Sequence, residues 1–379
     1  MVKKTKKGKK PQTKTKKEKN QNIPISLPFN KISTMKSIHD KTLNFLMLSR
    51  TNKYIIVCSA SYLSLLDKNN FSVLSKYKMY DPILFLIELN NNQIILSNAK
   101  LLFVFEADKN NKLNLLFNYE EKNFEKMGIV GLSKLNNDNI LMISPTEFKY
   151  YKQDEKNILE LYETFDIGNL IELKYEDYGT QFKSAFLLNN NNDFIALLTR
   201  QEMFIINQVK KTLVKKIVLE NTSVLFKYLN LNEEKDVTLI YHKKKLILFN
   251  NKHLEIINQS NLSNKEEEIT CIEKIKKEKC LIYGTNIGKI YVYNYHTTEI
   301  IKEIKFECQA FNITWIKEID NDIIVNNLPK SEIGFSNYDT GELIGKLNLK
   351  NSANFRKGIY IEESKKLLLG CANNFSLLE

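Results

Sequence analysis

Ten lysines stand within the first twenty residues: Lys3, Lys4, Lys6, Lys7, Lys9, Lys10, Lys14, Lys16, Lys17 and Lys19. They face a single acid, Glu18. Lysines at this density offer electrostatic chemistry, the pairing of a flexible polycation with phosphates or with acidic protein grooves. A second basic spot, Lys243-Lys244-Lys245, reads as a solvated hairpin edge, because lysines there discourage strand addition. Groups suited to catalysis or metal binding are sparse. His242 and His253 have no nearby cysteine, and Glu266-Glu267-Glu268 reads as a solvated loop. No P-loop, GxGxxG, GxSxG, HExxH or EF-hand spacing occurs. The sequence therefore predicts no enzyme, no cofactor and no metal centre.

The charge is unevenly placed. Residues 1–20 carry +9 of the formal net charge of +12, so the remainder is close to neutral. After Met1 this stretch holds one aliphatic residue, Val2, and cannot bury enough surface to offset the entropy of ordering. A disordered basic tail is expected over 1–20. Its first cluster, Lys3 to Lys10, resembles a monopartite nuclear localisation signal. No apolar run is long enough for a transmembrane helix. The Lys-rich start has no apolar core and is not a secretory signal. Cys58, Cys271, Cys280, Cys308 and Cys371 are odd in number, widely spaced and form no CxxC pair. This pattern predicts free thiols and an intracellular setting, with Cys58, Cys280 and Cys371 as small buried apolar residues.

These residues must be positioned by a repeating element. From residue 43 onward the chain keeps one pattern: four short apolar strands separated by polar turns. Units start near residues 43, 83, 129, 183, 224, 269, 311 and 358. No window carries a helical apolar stripe, so the body reads as an all-β repeat array. Asn-rich turns such as Asn189 to Asn192 take the role of Gly and Asp, since Asn tolerates positive φ. The third unit is long, with room for an insertion near Ile167 to Gly179. The last unit holds three strands. The segment between Ile23 and Ile38 is expected to supply its fourth, because an open ring leaves sheet edges exposed.

The sixth unit, Cys280 through Gly288 to Asn294, resembles strand b, glycine turn and strand c of WD40 repeats, with Tyr293-Asn294 in the place of the Trp-Asp pair. Asn337-Tyr338-Asp339-Thr340-Gly341 resembles the c–d turn of that family, and Ser37-Ile38-His39-Asp40 echoes its Gly-His position. The resemblance spans about residues 30–379 and implies a single closed β-propeller of eight four-stranded blades, or seven if one unit is absorbed. The family's Asp-His-Ser-Trp network cannot recur here, since the chain has four histidines and one tryptophan, Trp315, which falls on an expected first strand. Phe355-Arg356-Lys357-Gly358 resembles the Phe-Arg-Arg-Gly signature of phosphoinositide-binding propellers, which implies lipid-headgroup contact by Arg356 and Lys357.

The domain expectation is a tail over 1–20 and a propeller over 21–379, closed by its own N-terminal segment. The functional expectation is a non-catalytic scaffold for other proteins, monomeric within a larger assembly. A nuclear or nucleolar ribonucleoprotein or ribosome-assembly setting is favoured, with the tail meeting RNA or another polyanion. The alternatives are a cytoplasmic adaptor in trafficking, ubiquitin-ligase or cytoskeletal assemblies, and a phosphoinositide-binding propeller.

Overall fold

A computed structural model describes residues 28–29, 32–36, 43–98, 100–120, 128–154, 158–171, 184–188, 193–199, 201–219, 227–231, 236–262, 266–306, 311–320, 322–349, 357–370 and 374–379. Their strands form eight antiparallel sheets of four, each a blade with strands a to d in spatial order. Blade 1 is Leu43–Leu48, Tyr54–Ser59, Tyr62–Asp67 and Val73–Lys78. Blade 2 is Phe85–Glu88, Gln93–Ser97, Leu101–Ala107 and Leu113–Glu120. Blade 3 is Gly131–Lys134, Ile140–Ile143, Glu147–Gln153 and Leu159–Asp166. Blade 4 is Ser184–Leu187, Phe194–Leu198, Glu202–Asn207 and Thr212–Val218. Blade 5 is Lys227–Asn230, Val237–His242, Lys245–Asn250 and Glu255–Asn261. Blade 6 is Ile269–Lys274, Cys280–Thr285, Lys289–Asn294 and Glu299–Lys305. Blade 7 is Ile316–Glu318, Ile323–Asn327, Glu332–Asn337 and Leu343–Asn348. Blade 8 takes a, b and c from Lys357–Ile361, Lys366–Gly370 and Asn374–Leu378, and d from Ile32–Lys36.

The outer strand of blade 8 lies inside the interval Ile23 to Ile38. It pairs antiparallel with the end of the chain, Ile32 opposite Leu378 and Lys36 opposite Asn374. Just before it, Phe29 is buried against Phe335 of blade 7, with ring centroids 5.9 Å apart. The N-terminal segment thus seals blade 8 by backbone pairing and anchors to blade 7 by apolar contact.

Strand b is apolar on both faces because each blade is sandwiched between two others. Tyr54–Ser59, Gln93–Ser97 and Cys280–Thr285 are buried at every position. Strand d faces solvent on one side and alternates, as in Thr212–Val218. Eight apolar clusters result, one at each blade junction, and burying each large side chain contributes roughly 1.5–3 kcal/mol. The cluster joining Ile55 and Val57 of blade 1 to Leu368 and Phe375 of blade 8 closes the ring.

The turns follow a rule that reaches beyond asparagine. Left-handed backbone occurs at Asn52, Asn92 and Asn111, but also at Phe71, Lys211, Leu254, Lys279 and Thr298. A side-chain oxygen near the end of strand c organises the c–d turns. Asp67, Asp108, Asp154, Asn207, Asn250, Asn294 and Asn337 each accept backbone N–H bonds from residues two to four positions on. Such Asx turns pre-shape the reversal into strand d. In blade 7 the cap is Asn337, whereas the Asp339 carboxylate pairs with Lys277 of blade 6 at 2.5 Å.

One local expectation differs from the structure, and others fall outside the described residues. The first strand of blade 7 covers only Ile316–Glu318, and Trp315 stands just ahead of it, held by turn contacts. In the long third unit, Gly168–Ile171 form a single helical turn, and residues 172–179 lie outside the described ones. Asn189 to Asn192, Ser37 to Asp40, Cys308 and Cys371 also lie outside them.

Candidate binding cleft at the mouth of the ring

Neighbouring a strands pack on one another, which places them innermost. Each a strand begins at the same end of the ring where the b–c turns reverse. At that end blades 1, 2, 7 and 8 enclose a cleft of about 880 Å³. Its walls come from the start of blade 1 (Leu43 to Phe45), the connector into blade 2 (Pro82 to Leu84), the lead-in and b–c turn of blade 7, and Lys357.

Side-chain hydrogen bonds hold these walls. Asn44 is an extra residue in the register between strands a and b of blade 1. Its Nδ2 donates to the Ile83 carbonyl at 2.9 Å, tying the first wall to the second. Asn327 organises the blade 7 side. Its Oδ1 accepts the Thr314 and Trp315 N–H groups at 2.8 and 3.2 Å, and its Nδ2 donates to the Asn312 carbonyl at 2.9 Å. One asparagine thereby fixes the lead-in segment of blade 7 that lines the cleft.

The lining is mixed. Phe45, Ile83, Leu84, Phe311 and Leu328 supply apolar surface, and Leu84 is 50% exposed. Tyr80, in the same connector, is 83% exposed. Lys357 is the first residue of strand a in blade 8. The residue is exposed, yet partial desolvation by the cleft walls, and then the charge of Lys227 across the ring, hold its ammonium below the usual lysine range. No described carboxylate lies close enough to pair with it, so this cation has no anionic partner among the described residues. The cleft can therefore accept an apolar group and an acid together.

Comparison with solved structures identifies the architecture. The chain is similar to Sqt1 of Saccharomyces cerevisiae, with 12% identity over 91% of this chain and 97% of that one, at a TM-score of 0.69. It is similar to the Dos1 propeller, with 8% identity over 92% and 95% at 0.68, and to the WD40 β-propeller domain of Doa1, with 10% identity over 92% and 95% at 0.53. The chain has the WD40-type β-propeller fold. No protein-family profile and no curated protein sequence matches it.

On this WD40-type ring the residues singled out by sequence are scattered. Lys357 lines the cleft; Arg356 and the lysines from Lys3 to Lys19 lie outside the described residues. His242 ends strand b of blade 5, while His253 sits in the c–d turn of that blade, at the opposite end. Among the described residues no cluster of three or more His, Cys, Asp or Glu is placed to hold a metal ion. Cys58 and Cys280 are buried, and burial pushes the Cys58 thiol up to about 12.

Two surface readings are corrected. Lys245 is buried at 3% exposure, and Lys243 is ion-paired with Glu268 at 2.8 Å, so this hairpin is no free basic edge. Glu267 is also buried, at 3% exposure, and only its neighbours keep the solvated character that three successive glutamates suggest. The cleft itself was not found from sequence, because its walls run from Leu43 to Lys357 along the chain and meet only when the ring closes.

Proposed function

We propose that this chain is a non-catalytic scaffold that receives a segment of a partner protein in the cleft between blades 1, 2, 7 and 8. The observation that carries this reading is Lys357, an ammonium without an anionic partner, beside an apolar wall that ends in half-exposed Leu84. An unpaired cation next to apolar surface complements an acidic segment with an apolar anchor. The lysines from Lys3 to Lys19 favour a nuclear or nucleolar ribonucleoprotein setting, ribosome assembly included, where the tail meets RNA. A cytoplasmic adaptor in trafficking, ubiquitin-ligase or cytoskeletal assemblies is the competing placement.

The test compares quantitative co-purification by full-length wild type, Leu84→Asp and Lys357→Glu. Loss of one shared set of proteins by both variants supports the cleft, and an unchanged set refutes it. Localising the full chain beside one that lacks residues 1–20 decides the compartment. Phosphoinositide vesicles separate the lipid reading: pelleting that disappears in the Arg356→Ala, Lys357→Ala double variant would favour a headgroup site.

A further inference from the structure

A second cavity, of about 490 Å³, lies in the groove between blades 5 and 6. It shares no lining residue with the cleft at the mouth. We propose that this groove binds a cationic side chain, a guanidinium or an ammonium, of a partner protein.

Three rings form its aromatic wall. Tyr283 comes from strand b of blade 6, and Tyr291 and Tyr293 from strand c. The Tyr283 centroid lies 5.1 Å from that of Tyr291 and 6.4 Å from that of Tyr293. The hydroxyl of Tyr293 is tied to Ser260 of blade 5 at 3.0 Å, which anchors the wall across the groove. Glu299, at the start of strand d, adds a carboxylate to the lining.

Glu267 also lines the cavity, from the connector that enters blade 6. Its carboxylate is 3% exposed. One oxygen, Oε2, accepts the Tyr291 hydroxyl at 3.2 Å. The other, Oε1, has no hydrogen-bond partner. Lys289 does not complete it. Its Nζ pairs with Glu303 at 2.8 Å and donates to the Tyr291 hydroxyl at 3.2 Å. That relay ends on Oε2 and leaves the buried Oε1 without a hydrogen-bond partner.

A buried carboxylate with an unpartnered oxygen is costly, and a cation satisfies it better than any neutral donor. Tyrosine faces attract the same charge through their quadrupoles. Carboxylate and rings therefore select one ligand class. A flat or extended organic cation suits an aromatic groove, whereas the described residues offer no metal-ligating cluster. This inference does not depend on the cleft.

The test uses the full-length protein and blocked pentapeptides, Gly-Gly-X-Gly-Gly, in which X is arginine, lysine, trimethyl-lysine, citrulline or norleucine. Calorimetry should show binding of one or more of the cationic peptides and none of citrulline or norleucine. The ranking among the cations separates guanidinium from ammonium. Glu267→Gln should weaken that binding by about tenfold or more. Should Glu267→Gln fail to fold, Glu299→Lys, on the lining but not at the buried carboxylate, must weaken it instead. Equal binding of arginine and citrulline peptides, no binding of any cationic peptide, or full affinity in the folded Glu267→Gln variant would overturn the proposal.

Discussion

The indole of Trp315 fills the space that a Cβ on Gly358 would need. Trp315 leads into blade 7 and Gly358 lies in the first strand of blade 8, so the pair sets how closely these blades approach. The last residue of the Phe-Arg-Lys-Gly tetrapeptide thereby has a packing role of its own. Gly358→Ala must displace the ring or the strand, and overpacking of this kind typically costs about 1–3 kcal/mol. Trp315→Leu should lose stability alone but recover part of the loss in the Gly358→Ala background. A urea-melt double-mutant cycle measures that coupling. Strict additivity would mean the two residues do not press on one another.

The ends of the chain meet in blade 8, which makes the ring's stability depend on a short segment. Deleting residues 1–40 removes the strand Ile32–Lys36 and the Phe29 anchor, and exposes the edge of Asn374–Leu378. Deleting residues 1–20 removes neither. Thermal melts should therefore show a large loss for the longer deletion and none for the shorter. Equal melting of the two would contradict the pairing.

The fold was legible where repetition forces it. Strand b must be apolar on both faces, so runs such as Tyr54–Ser59 and Cys280–Thr285 announce themselves. The Asx caps were also present in the sequence, at Asp67, Asn207, Asn250, Asn294 and Asn337, but only Asn337 to Gly341 was read as a c–d turn, and Tyr293-Asn294 as the counterpart of a Trp-Asp pair. The sites were not legible, for a physical reason. Asn44, Ile83, Asn327 and Lys357 meet only through ring closure, and no local pattern records that meeting. Glu267 reads as solvent-facing by its neighbours, yet the blade junction buries it.

Two carboxylates make the ring sensitive to pH. Glu88 Oε2 accepts the Arg50 N–H of the preceding blade at 2.7 Å, and Glu318 Oε2 accepts the Lys276 N–H at the same distance. Tyr338 Oη lies 2.9 Å from Glu318 Oε1 and 2.8 Å from Asp322 Oδ1, with one proton to give. Burial, partly offset by these bonds, holds both glutamates above the usual carboxylate range. A raised folded pKa means that the folded state binds protons more readily than the unfolded chain. Stability from these groups is then full below the unfolded value, about 4.3, and falls as pH rises through the folded value. Glu88→Gln with Glu318→Gln removes that fall. The melting temperature of the double variant, relative to wild type, should rise between about pH 4 and 7. A difference constant across that range would show that burial does not set their titration.

The polyanion prediction concerns the lysines from Lys3 to Lys19. The described body spends much of its charge internally, as in Lys243 with Glu268, Lys289 with Glu303 and Lys277 with Asp339. The first twenty residues hold ten lysines and one acid, and have no such partners in sequence. RNA binding by the full chain should therefore be phosphate neutralisation, indifferent to base sequence. Its affinity should fall steeply with salt, with a log–log slope of roughly −0.7 per phosphate neutralised on single strands. A chain starting at Gln21 should lose both the affinity and the slope. Salt titrations of the two chains against one unstructured RNA make the measurement. If the shorter chain kept both, the RNA surface would lie on the propeller, and Lys357 at the mouth of the cleft would be the first residue to substitute.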